Sequence, residues 1–72
     1  MDSALEIAEF IMQHPDFTFR LRGEANAIRI TATLGSASVQ RIVGKHDLEM
    51  ARDNLLLFHL EVMAKELDKA AV

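Results

Sequence analysis

Side chains able to do chemistry are few in this 72-residue chain, and their spacing argues against most of it. The imidazoles are His14, His46 and His59. A zinc centre needs two of them at helical spacing, or one beside well-placed carboxylates. His14 precedes Pro15, His46 stands ahead of a helix and His59 lies inside one, so no two share a local element, and no H-E-x-x-H occurs. Cysteine is absent, which removes thiolate ligands and disulfides together. Ser36 and Ser38 sit in Gly35-Ser36-Ala37-Ser38, a turn that lacks the G-x-S-x-G elbow of a hydrolase. Gly44-Lys45 resembles the end of a phosphate loop in two residues only. Val39 stands where the first glycine would be, His46 replaces the magnesium-binding Ser or Thr, and Asp47 would repel phosphate. Glu49 and Asp53 are carboxylates on the polar side of a helix, where solvation is their ordinary role. No catalytic, cofactor-binding or metal-binding residue is assigned, and a non-enzyme is expected. His59 falls between two apolar stripes and reads as a core-edge or interface histidine, able to make a contact pH-sensitive.

Three arginines form the other candidate. Arg20, Arg22 and Arg29 share the outward face of a β-hairpin with Thr18, Thr31 and Thr33. The planar guanidinium fork suits phosphate and carboxylate alike. These arginines therefore read as an anion or partner contact, or as a solvated face neutralised by the chain's 11 acids. The chain has no Tyr or Trp, and no Phe is expected on that face, so a base-stacking platform is missing. The net charge of −3 points the same way. A protein partner ranks ahead of nucleic acid.

The elements that must position these groups follow the order α-β-β-(β)-α, a small α+β domain over residues 1–72. Ser3 and Glu6 form a capping box, with Asp2 adding negative charge at the helix start. That helix is expected to run to about Gln13, because Pro15 disfavours helical geometry at His14. Its apolar positions span about 220° of the wheel, where a lone surface helix needs only about 100°. Residues 17–22 and 27–34 alternate apolar and polar, the period of half-buried strands. Gly23-Glu24-Ala25-Asn26 between them predicts a four-residue loop, with 22 opposite 27, 20 opposite 29, 19 opposite 30 and 17 opposite 32. Val39–Val43 is rich in β-branched residues, but facing Val39 and Val43 inward takes Arg41 with them. The segment reads equally as a short edge strand, completing a three-stranded meander, or as an extended connector.

Asp47 is the expected N-cap of a long helix to about Lys69. One stripe of it carries Leu48, Ala51, Leu55, Phe58 and Val62. A second holds Leu56, Leu60, Met63 and Leu67 at spacings of four, three and four, a heptad-like seam assigned to self-association ahead of the alternative that the first helix covers it within one chain.

Size explains why association is expected. Mass scaling leaves about 4,500 Å² exposed out of roughly 11,700 Å² in the unfolded chain. The apolar share of that burial is worth roughly 108 kcal/mol at ~25 cal/mol per Å². Ordering the chain costs about the same. Small chains close such a gap with disulfides, metal or a partner chain, and the first two are not in view. Met1-Asp2-Ser3 shows no basic, apolar leader, and no stretch is long and apolar enough to span a membrane. Together with the missing cysteine this gives the expectation of a cytoplasmic protein. The reading is a non-catalytic homo-oligomer, a dimer first, that binds another protein as adaptor, regulator or inhibitor. A nucleic-acid or anion binder using the arginine face is the second reading.

Overall fold

The computed structural model describes residues 3–70, leaving aside the Ser3 side chain, so the Ser3–Glu6 box and the Asp2 charge lie outside the described residues. Helix α1 (Ser3–Met12) leads into strands β1 (Phe17–Glu24), β2 (Ala27–Leu34) and β3 (Ala37–Gly44), then helices α2 (Lys45–Met50) and α3 (Leu55–Ala70). The strands form an antiparallel meander in the order β1-β2-β3. The α+β class is as the sequence suggests.

Register differs from the expectation by two residues. Glu24 pairs with Ala27, Gly23 with Ile28, Arg22 with Arg29 and Phe17 with Leu34, so the loop is Ala25-Asn26 alone. Asn26 takes φ 59°, a left-handed conformation that Asn tolerates better than most residues. The tighter turn adds two ladder pairs and brings Glu24 beside Arg29. An even-numbered slip leaves every side chain on the same face, which is why the alternation alone could not detect it. The second turn places Gly35 at φ 63°, where a Cβ would be strained.

Strand β3 is complete. Arg41 does face the helices between Val39 and Val43, and the position is tolerable because β3 is an edge strand. Its side chain stays 35% exposed and reaches Glu66 at 3.2 Å, stem covered and head wet.

The long helix from Asp47 is interrupted. Ala51 is extended (φ −70°, ψ 136°), ending α2 after six residues. The α3 cap is Asn54, whose Oδ1 accepts the Leu57 amide at 3.2 Å. Asp47 lies in the first turn of α2, behind Gly44 as N-cap, and is not itself the cap. Asp53-Asn54 held the signal: two residues whose short polar side chains compete for the backbone.

Only the helix-facing side of the sheet is packed. Ile30, Ala32 and Val43 meet Leu60, Met63 and Leu67, each at most 2% exposed. Helix α3 lies over β2 and β3 and touches α1. Phe10 of α1 packs on Phe19 of β1 with ring centres 5.7 Å apart. This overturns the seam assignment. Leu60, Met63 and Leu67 are spent on the chain's own sheet, and Leu56 is half-buried against the same cluster. A 3-4 spacing marks an apolar stripe; it cannot tell a sheet from a second helix as its cover.

Among the described residues no helix is long and apolar enough to cross a membrane. Truncating Leu60 to Ala is expected to cost about 3 kcal/mol in urea denaturation, the usual toll of a filled core site left as a cavity. Phe58→Ala removes a larger side chain but one that is 55% exposed. It is expected to cost under about 1 kcal/mol.

Candidate binding face of the sheet

Because both long helices lie on one side, the other face of the sheet is uncovered. Strand register sets its side chains in rows. Arg22, Arg29 and Ile42 form one row, Arg20, Thr31 and Gln40 the next, and Thr18, Thr33 and Ser38 a third. A shallow groove of about 520 Å³ runs among these arginines, threonines and Gln40.

The like-charge pair across β1 and β2 is thus Arg22 with Arg29, and Arg20 faces Thr31 instead. Directly opposed like charges are unfavourable. The hairpin relieves the conflict internally. Arg29 donates through Nε and Nη2 to the Glu24 carboxylate, the second bond being 3.5 Å, and through Nη1 to Gln40 Oε1 at 3.1 Å. Hydrogen bonding from Arg29 holds the Glu24 carboxyl below its ordinary value; slight desolvation opposes this, and the Arg29 and Arg22 charges add to it. The same bond raises Arg29. Arg20 and Arg22 have no carboxylate partner among the described residues. One of the three arginines is therefore neutralised and two are available.

Such a face can present fixed cations and hydroxyls to carboxylates or phosphates. It cannot stack a base, since Phe17 and Phe19 point to the helices and among the described residues the face carries no ring. Gln40, Glu24 and Ile42 belong to the site but escape a sequence reading. They enter it only once β3 pairs fully and the turn tightens.

A second polar cluster lies on the helix side. Arg41 Nη1 is 3.4 Å from His59 Nδ1 and Arg41 Nη2 is 3.2 Å from Glu66 Oε1. Burial lowers the His59 pKa first, the Arg41 charge lowers it further, and Asp47 opposes both. The remaining candidates are scattered. The His14 ring sits 2.8 Å from the Phe10 carbonyl and packs between Phe10 and Phe17; His46, Ser36 and Ser38 are exposed. Among the described residues no three His, Asp or Glu side chains converge as metal ligands.

No family model matches this chain, and neither a curated protein nor a solved structure does.

The depressed His59 pKa has a definite sign. The folded chain disfavours the proton that the unfolded chain would bind near the ordinary value of 6.5, so stability rises with pH in that range. The contribution is complete above about pH 6.5 and is lost as the pH falls through the lower folded value. Melting temperature is therefore expected to drop between about pH 7 and pH 5. His59→Gln should flatten part of that slope, as thermal scans of both proteins would read directly.

Proposed function

We propose that this chain is a small non-catalytic interaction module that works as a homo-oligomer and acts by contacting another macromolecule. The observation that carries this reading is unhidden surface. The folded chain exposes 5211 Å². A monomer of its mass is expected to expose about 4,500 Å². The surplus of roughly 700 Å² is close to the ~800 Å² that one partner contributes to a standard interface. Large apolar side chains lie on that surface: Leu5, Met12, Ile42, Met50 and Phe58 are each more than half exposed. The shape gives the cause, since the chain is a slab of 35 × 26 × 17 Å with helices on one side of the sheet only. Absence of cysteine supports a reducing, cytoplasmic setting.

A second reading has its own support. Among the described residues Arg20 and Arg22 form no ion pair with a carboxylate, as suits a protein that binds phosphates. Against it stand the net charge of −3 and a ringless face. If nucleic acid is the ligand, affinity for a short duplex must fall steeply with salt, and Arg20→Ala/Arg22→Ala must shrink that slope by about two contacts. Electrophoretic mobility shifts at low and high salt decide it.

For the favoured reading, sedimentation equilibrium at micromolar concentration is expected to give a mass above the 8.1 kDa of one chain. A species of 8.1 kDa throughout would overturn it.

A further inference from the structure

We infer that copies of this chain assemble head to tail, the open sheet face of one seating on the groove between α1 and α3 of the next. This rests on the self-associating reading above and names the surfaces that it uses.

Charge is segregated across the slab. The sheet face carries Arg20, Arg22 and Arg29, and Glu24 at its end is already engaged by Arg29. On the opposite side a groove lined by Glu6, Glu9, Leu57 and Glu61 opens into a wider hollow of about 640 Å³ beside Asp53 and Phe58. Those walls hold four carboxylates against one base, Arg52. None of the four pairs with a basic side chain among the described residues. Each side therefore offers what the other needs. Arginine forks favour bidentate carboxylate contacts. Apolar anchors match as well, with Ile42 59% exposed on the sheet face and Phe58 55% exposed at the groove.

Symmetric pairing fails on the same grounds. A two-fold contact of sheet on sheet would bring two arginine-bearing faces together, and one of groove on groove two acidic ones, so like charge would meet like. Neither arrangement gains a counter-ion. The two complementary surfaces share no lining residue and are built on different elements, the strands for one and the helices with the α2–α3 turn for the other. Every contact leaves one surface free at each end. Such a heterologous contact grows into a ring if its rotation closes and into a filament if it does not.

The test uses two charge reversals, Arg20→Glu/Arg22→Glu on the sheet face and Glu6→Lys/Glu61→Lys in the groove. Circular dichroism checks that each folds, and Arg20→Gln/Arg22→Gln serves as a milder version. In sedimentation velocity at low ionic strength, the unmodified chain is expected to exceed two-chain mass as concentration rises. Each reversal alone should run as a single chain. Mixing the two should restore assembly, because each supplies the surface the other lacks. The glutamine version should weaken association by about tenfold or more, the scale of two lost charge-assisted contacts. Assembly by both reversals as by the unmodified chain, growth of the unmodified chain that stops at two chains, or a mixture of the reversals that stays at single-chain mass overturns the head-to-tail arrangement while leaving self-association standing. A single-chain mass for the unmodified protein overturns the underlying reading instead.

Discussion

A three-stranded sheet has two faces, and this chain has helix enough for one. The contact of Leu60, Met63 and Leu67 with Ile30, Ala32 and Val43 closes the interior, and most other features follow from it. Helix α3 must lie along β2 and β3 to make that contact, which leaves α1 to cover β1 through Phe10 and Phe19. Leu21, farther along β1, remains 43% exposed because neither helix reaches over it fully. Among the described residues no helix packs on the reverse of the sheet. Its side chains are mostly those a strand can leave in water, threonine, serine, arginine, glutamate and glutamine, with Ile42 the large apolar residue among them.

Much of this was legible in the residues, for identifiable reasons. Phe17, Phe19, Ile28, Ile30, Ala32 and Leu34 alternate with polar neighbours so regularly that face and strand assignment needed no tertiary information. Register was not legible, because Gly23 and Asn26 are both turn formers and slips of two residues keep the pattern intact. Strand β3 was ambiguous since Arg41 breaks the alternation by type while obeying it by position. A long cationic side chain on an edge can face inward and still reach water. The long helix expected from Asp47 is broken at the Asp53-Asn54 stop, where the Asn54 side chain accepts the Leu57 amide that a continued helix would have bonded internally.

The candidate site shows the same division. Arg20, Arg22, Arg29 and their threonines were visible as one face. Their inequality was not, since it depends on Glu24 lying diagonal to Arg29 after the turn tightens. The leucine seam was the opposite case. Its residues were identified correctly as an apolar stripe, but spacing along a helix records that something covers it and says nothing of what. Here the cover is the chain's own sheet, and the surface left for partners lies elsewhere.

Arg41 has a consequence of another kind. Both outer strands of a meander carry a row of unsatisfied amides and carbonyls, a template on which foreign backbone can stack into fibrils. On β3 the middle of that row is guarded. A strand zipping onto it would have to close over a guanidinium already held by Glu66, stripping water from a cation with no fresh counter-charge to offer. The same side chain that blurred the strand pattern thus discourages growth along the hydrogen-bonding direction, and leaves the broad surfaces as the safer place for copies to meet.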